Sequence, residues 1–219
     1  MPPKRKATQE PDTLPKKEST KKDTKPFKDC PISKAYRFIE PGPLLLVTTG
    51  SLASKTHNIM TLGFHMMMQH ESPPLIGITL GPWDASFKAL KEKQECVLTV
   101  PSTEIAETVI DIGNISSDDL DSPSGKWERF GLEPLPAGKV QAPLVSGPHV
   151  MANIECVVED MSMVKKYNMW VLRVVKAWEN PMPDGGTMAH HCGQGVLVGD
   201  GLRLDFSHRM DKWQEFLDG

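Results

Sequence analysis

Seven histidines and four cysteines are the side chains here best suited to metal or nucleophilic chemistry. His190, His191 and Cys192 are adjacent, and His65 and His70 stand five apart. Adjacent ligands converge poorly without a bend, and on a strand residues of opposite parity face opposite sides, so His65 and His70 cannot share a metal there. No third and fourth ligand stands at a zinc spacing. No G-x-S-x-G turn presents a serine, and no cysteine or serine sits in a known nucleophile setting. Neither G-x-G-x-x-G nor G-x-x-x-x-G-K-[ST] occurs, so a dinucleotide or P-loop fingerprint is missing. No metal and no catalytic side chain is therefore expected.

What remains is the stretch "HNIMTLGFHMMMQHESPPLIGITLGPWDASFKAL", His57 to Leu90. It offers amide, hydroxyl, glycine and methionine, and no acid–base pair. Such a surface suits a bound cofactor that brings its own chemistry. A flavin needs an apolar bed, a few N–H and hydroxyl groups for its ring, and a cradle for its phosphate. Strand residues with Asn, Thr and Gly would serve the ring. A helix N-terminus bearing Ser86 would serve the phosphate, because its free N–H groups point outward. The competing reading is that Met60, Met66, Met67 and Met68 fill a core.

The elements that must position these residues can be read from the pattern. "PLLLVTT" (Pro43 to Thr49) reads as a buried strand, "HNIMTLGF" and "PLIGITLG" as two more, with Pro73-Pro74 breaking the chain between them. "DASFKALKEK" (Asp84 to Lys93) reads as a short helix with Asp84 as N-cap and Phe87 and Leu90 on one face. "CVLTVP" is a strand, and "TEIAETVID" (Thr103 to Asp111) a second helix. Residues 112–149, rich in Gly, Pro, Ser and Asp, form a long excursion of the kind that shapes a site or an interface. "ANIECVVED" and "NMWVLRVVKAW" are strands. The second is apolar on both faces, Trp170, Leu172 and Val174 on one and Met169, Val171 and Val175 on the other, which fits one face meeting a second subunit. "GVLVGDGLRL" reads as a hairpin around Gly199-Asp200-Gly201. The sum is mostly antiparallel β with a few short helices, the make-up of a barrel.

Composition agrees with a packed domain: 219 residues, 39% of them hydrophobic. No run of about 18 apolar residues is present, so no membrane-spanning helix is expected, and no apolar segment of a secretory signal follows the N-terminal charges. Cys30, Cys96, Cys156 and Cys192 are scattered, as reduced thiols of a cytoplasmic protein would be. The net charge of -3 conceals an asymmetry: residues 1–29 hold nine Lys/Arg against five Asp/Glu, while the rest is acidic. With Leu14 and Phe27 as their large apolar side chains after Met1, residues 1–29 are expected to be a disordered, solvated tail. "PPKRK" and "PKKESTKK" leave nuclear import or a weak polyanion contact as its alternatives. Neither a membrane nor a nucleic acid is an expected partner.

Four ordered segments carry a resemblance. They are "NIMTLGFHMMMQHESPPLIGITLGPWDASFKALKEKQECVLTVP", "DIGNISSDDLD" with "KWERFGLEPLPAGKVQAPLV", the strand pair "ANIECVVED" and "YNMWVLRVVKAW", and "HHCGQGVLVGDGLRLDFSHRMDKW". Together, over roughly residues 30–215, they resemble the flavin reductase-like, FMN-binding split-barrel family, which includes flavoredoxins and NAD(P)H:flavin oxidoreductases. The resemblance implies a domain over 30–219 built as a six-stranded antiparallel split barrel. It implies a homodimer with FMN, or FAD as the alternative, held near the dimer interface, and NAD(P)H as electron donor. Asn58, Met60, Thr61, Leu62 and Gly63 would line the flavin ring, and Ser86 with Phe87 would meet the phosphate. Ser116, Asp119 and Lys126 would lie in the excursion that shapes the pocket, with Ser116 and His191 as nicotinamide-side contacts.

Hydride would pass directly from nicotinamide to flavin, and the protein's task would be to stack the rings and exclude water. The electrons would go on to a partner oxygenase or another acceptor. A flavoredoxin-type carrier reduced by a protein partner is the alternative, and a barrel that keeps only a scaffold role is the third. A pyridoxamine-phosphate-oxidase-like barrel fits the quoted segments less well. Ala85 stands where relatives often carry His. Ser117 replaces the Gly of the family's S-G pair, which implies an altered turn. "SPSG" (Ser122 to Gly125) resembles an insertion before Lys126, and Arg173 replaces a Glu. Removing residues 1–29 is expected to leave the melting temperature and the flavin content unchanged; a fall in either, by calorimetry or absorbance, would make the tail part of the fold.

Overall fold

The computed structural model describes residues 42–179, 187–192 and 196–201. They belong to one compact unit, Ala35–Gly219. The expected tail, 1–29, lies outside the described residues. The strands are β1 (Leu45–Thr49), β2 (Asn58–Leu62), β3 (His65–Gln69), β4 (Leu75–Thr79), β5 (Glu95–Pro101), β6 (Pro134–Leu135), β7 (Leu144–Val145), β8 (Val150–Asp160), β9 (Met169–Glu179), β10 (Ala189–His191) and β11 (Leu197–Gly199). The helices are α1 (Ala85–Lys93), α2 (Ala106–Gly113), α3 (Gly125–Arg129) and α4 (Val164–Tyr167).

Seven strands form one antiparallel sheet in the order β2-β1-β5-β8-β9-β4-β3. The sequence predicts six. The seventh is β3, "HMMMQ", which the pattern leaves unassigned between two strands. The two edge strands, β2 and β3, are consecutive in the chain, joined by Gly63 and Phe64 alone. In a flat sheet those edges would lie about 29 Å apart at ~4.8 Å per strand. The steps from Leu62 to His65 span at most about 11 Å. The sheet must therefore curl until its edges meet. No ladder among the described residues joins β2 to β3, so the barrel is split there.

Inside the curl lie Leu45, Val47, Leu62, Ile76, Ile78, Leu80, Cys96, Leu98, Cys156, Trp170 and Leu172, with Leu90 of α1 packed among them. Trp170 donates its indole N–H to Leu80 O at 2.9 Å. The opposite face of β1 and β2 carries Leu44, Leu46 and Ile59 against Val109, Ile112 and Trp127 of α2 and α3. All five residues of β1 are buried because both of its faces are covered. A third cluster packs Val97 and Val175 against Val140, Ala142 and Leu144 of the excursion. The second apolar face of β9 is thus covered at Val175 by the chain itself.

Two local expectations need correction, the start of the second helix and the capping of the first. The helix expected over Thr103 to Asp111 starts as a 3-10 turn, Thr103–Ile105, and becomes α-helical from Ala106 to Gly113. Strand β11 pairs with β10, and the second arm of the hairpin expected around Gly199-Asp200-Gly201 lies outside the described residues. Ser117, where an altered turn is expected, is not among the residues of positive φ and lies in a 3-10 turn, Ser117–Asp119. Asp84 does precede α1, but its Oδ2 accepts from Gly81 N–H at 2.8 Å and makes no cap bond to the helix.

The excursion is held to the sheet by polar rivets. Asn153 accepts from Thr99 Oγ1 and Val145 N–H and donates to Val145 O, at 2.7, 3.0 and 3.1 Å. Glu155, fully buried on β8, accepts from the N–H groups of Gly138 and Lys139 and from the Trp178 indole. Burial raises the Glu155 pKa, but the N–H donors and Lys176 outweigh it and hold the group below the usual carboxylate range. Its stabilisation is therefore complete above the unfolded-state pKa and is lost as pH falls through the lower folded value. Glu155→Gln is expected to cost about 2–3 kcal/mol in urea unfolding at pH 7, the scale of lost hydrogen bonds to a charge, and less as the pH is lowered. An equal loss at all pH values would remove this role from the carboxylate.

Candidate functional site

A cavity of about 280 Å³ opens beside the free edge of β2. Asn58, Met60 and Thr61 form one wall, residues 83–86 at the start of α1 a second, residues 112–116 a third, and Lys126 of α3 completes it. Because the cavity meets β2 edge-on, residues of both parities reach it.

The site is knit together by unlike donors and acceptors. Asn58 Nδ2 donates to Ser86 Oγ at 2.9 Å, joining β2 to α1. Both residues are buried, and Asn58 Oδ1 has no partner. Thr61 Oγ1 donates to Val109 O. Gly113 lets α2 come close, since a Cβ there would lie 3.2 Å from Thr61 Cβ. Lys126, a residue 3% exposed, donates from its ammonium to Ile59 O at 3.1 Å and Ile112 O at 3.3 Å, tying α3 to β2 and to the end of α2. Burial lowers the Lys126 pKa, and the charge of Asp118 offsets part of this. The Trp83 ring, 74% exposed, stands at the rim against Gly81, where a Cβ would lie 2.4 Å from the indole.

A second cavity, about 350 Å³, adjoins the first across Asn58 and Ala85 and is lined by Ser54, Thr56, Lys88, Lys93 and Ser117. Neither cavity contains a nucleophile beside a base. The thiols of Cys96 and Cys156 face each other across β5 and β8, fully buried. Burial, with the nearby Glu155, pushes Cys156 up to about 12. Protonated thiols of this kind are unreactive.

Of the residues marked in the sequence, Asn58, Met60, Thr61, Ser86, Ser116 and Lys126 line the first cavity. Leu62 does not: its side chain is in the barrel core. Phe87 packs edge-on against Trp170, ring centroids 5.3 Å apart, on the other side of α1 from Ser86. Gly63 sits in the link between the sheet edges. Asp119 is exposed on the 3-10 turn. His191 lies on β10, its N–H bonded to Gly42 O at 3.2 Å, and does not line the cavity. Met66, Met67 and Met68 are 54%, 62% and 43% exposed on β3, neither core filler nor cavity wall.

Trp83, Ile112 and Gly113 were not marked. A glycine followed by Asn after a helical run is a usable cue for close approach. A lone Trp in a turn gives no periodic signal.

A curled, split antiparallel barrel with a cavity against one open edge, walled by helix ends, is the arrangement of FMN-binding split-barrel proteins. The model of the flavin reductase like domain matches residues 37–195, and the chain belongs to that family. Its fold is shared with an FMN-binding domain of flavin reductases-like enzyme from Shewanella baltica OS155, at 20% identity, TM-score 0.66, and 80% and 95% coverage of the two chains. Flavoredoxin of Desulfovibrio vulgaris (Miyazaki F) matches at 21% identity, TM-score 0.62, covering 76% and 92%. The 2-nitrobenzoate 2-nitroreductase of Pseudomonas fluorescens matches at 19%, TM-score 0.63, covering 80% and 92%. An uncharacterized protein of Pyrococcus abyssi is 27% identical over 140 residues, 64% of this chain and 75% of that protein.

The Asn58–Ser86 bond is buried and spans two elements, so its partners should not act independently. A double-mutant cycle of Asn58→Ala and Ser86→Ala is expected to show a coupling of about 1 kcal/mol in urea unfolding. Additive losses would mean that the two side chains do not hold each other.

Proposed function

We propose that the chain binds FMN in this cavity and is an oxidoreductase that passes hydride from NAD(P)H to the flavin, and electrons onward to a second acceptor. The observation that carries the reading is the buried Lys126 ammonium on a cavity wall that has no catalytic acid–base pair. A site built this way binds and orients, and leaves the chemistry to what it binds. When bound, a flavin supplies the two-electron chemistry.

The residues fit the group. Asn58 Oδ1 is buried without a partner, and an amide can present either its oxygen or its nitrogen to a ring edge. Met60 supplies apolar surface, and Thr61 and Gly113 form a close-packed floor. The first turn of α1 carries main-chain N–H groups that no intrahelical acceptor satisfies, which suits a phosphate. Ser54 and Thr56 of the adjoining cavity add hydroxyls on that side, and Lys88 and Lys93 stand there with Glu92 and Asp118. Trp83 at the rim offers an aromatic face to a second ring and shields the first from water.

A homodimer is part of the proposal. Phe64, Met66, Met67 and Met68 are exposed along the edge strand β3. An unpaired edge with large apolar side chains is a surface that a folded protein ordinarily covers, and a second copy of this chain would do so.

The test is an absorbance spectrum of the purified protein, before and after added FMN, followed by anaerobic NADH and then NADPH. The flavin bands are expected to be present and to bleach with one nicotinamide. Bands that persist with both would replace the reductase with an electron carrier that awaits a protein donor. A colourless protein that takes up no FMN would overturn the flavin reading.

A further inference from the structure

On the side of α1 away from Ser86, a further cavity of about 380 Å³ lies between this helix and the tip of the β8–β9 hairpin. It shares no lining residue with either cavity on the Ser86 side. Trp170, fully buried, and Phe87, edge-on to it, make an aromatic floor, and Met161 and Val164 of the hairpin tip add a thioether and an alkyl wall. The floor is held in place. Trp170 gives its indole N–H to Leu80 O at 2.9 Å, and Leu80 N–H donates to Asn168 O at 3.0 Å. What Trp170 leaves for the cavity is therefore ring surface and not a polar atom. A preformed, mostly apolar hollow of this size is the form that small-molecule sites take.

Its charged residues are of one sign. Lys91 comes from α1 and Lys165 from α4, the two elements that face each other across the hollow. Both are exposed, and neither is in an ion pair among the described residues. No carboxylate lines the cavity among those residues. The carboxylates near it in the chain are engaged elsewhere. Asp84 accepts from Gly81 N–H, and Glu95 accepts from Gln141 N–H. Glu92 lines the cavity of Ser54 and Thr56, Glu159 pairs with Arg173, and Asp160 accepts from Ser162. An aromatic floor with two unanswered cations is complementary to a ligand with a flat apolar body and one anionic group. Aromatic rings pack on Phe and Trp, and on a methionine sulfur, better than saturated chains of equal area do. A carboxylate has oxygens enough to accept from both ammonium groups.

We infer that this cavity is a second binding site, for an aromatic carboxylate, with the ring against Phe87, Trp170 and Met161 and the carboxylate between Lys91 and Lys165. The inference does not rest on the flavin reading. Helix α1 stands between the two sites, with Ser86 on one side and Phe87 on the other. The acid is thus held apart from whatever occupies the first cavity, and it is bound here without being a reactant.

The experiment is equilibrium dialysis of the full chain against naphthoate, and against naphthylmethanol as its neutral counterpart, with and without saturating FMN. The native protein is expected to take up one naphthoate per chain, to bind the alcohol more weakly, and to keep its naphthoate when FMN is added. Lys91→Gln and Lys165→Gln, both surface changes, are each expected to weaken naphthoate about threefold, and together about tenfold, while leaving the alcohol unaffected. Lys165→Arg, which keeps the charge, is expected to retain most of the affinity. A native protein that takes up no naphthoate overturns the inference, as does one that binds acid and alcohol alike. Loss of naphthoate on adding FMN would place the acid in the first cavity and overturn it too, leaving FMN binding standing. Lysine variants that bind naphthoate as the native protein does would remove the anionic half of the site and with it the proposal.

Discussion

The two-residue link between β2 and β3 is the constraint on which the rest of the architecture depends. Strands at opposite ends of the hydrogen-bonding order are separated in the chain by Gly63 and Phe64 only. The sheet has to roll up to satisfy that distance, and rolling up creates the enclosed core of Trp170, Leu172, Leu98 and their neighbours. Yet the link does not make the two edges pair. β2 keeps one hydrogen-bonding partner, β1, and its other edge is open. An open edge has main-chain acceptors to satisfy, and Ile59 O finds Lys126. The split in the barrel, the need to cap its edge and the position of the cavity are one structural fact.

The same logic explains why the helices gather where they do. Ile59 and Leu46 turn apolar side chains outward from the curl, and α2 and α3 cover them with Val109, Ile112 and Trp127. Covering that face brings the end of α2 and its glycine against Thr61, while α1 is drawn to the barrel mouth by Leu90 and Phe87. Three helix ends thereby meet one strand edge. The cavity is what their main chains leave between them, which is why so few of its polar groups are side chains in acid–base pairs.

The parts of this that could be read in the sequence are those set by local pattern. β1, β5, β8 and β9 are apolar runs between breakers, and their strands were legible because both faces are buried in clusters within the chain. β3 was not legible, because "HMMMQ" has no alternation and its methionines point to solvent on an edge strand, where composition favours burial. Asn58, Met60, Thr61 and Ser86 were marked by residue type and by the family resemblance, and they line one cavity because β2 and the start of α1 meet through the Asn58–Ser86 bond. Leu62 shares its face of β2 with Met60 and is buried in the core cluster that Met60 packs against, while Phe87, one residue beyond Ser86, turns to another side of the helix and meets Trp170. Lys126 was marked through the family resemblance, beside an apparent insertion, and the tertiary contacts with Ile59 and Ile112 add where its charge lies.

Lys126 also joins stability to function in a way that neither alone explains. Its hydrogen bonds close an edge strand and a helix end, a role that any long donor could fill. Its charge serves neither task; burial disfavours it, and Asp118, which makes no ion pair with it, offsets only part of that cost. Natural folds keep such a group where a ligand compensates it, because local conflict with stability concentrates at functional sites. Ala85 makes the complementary concession. Its small side chain borders both cavities, the inner one with the buried Lys126 and the outer one with Lys88, Lys93, Glu92 and Asp118.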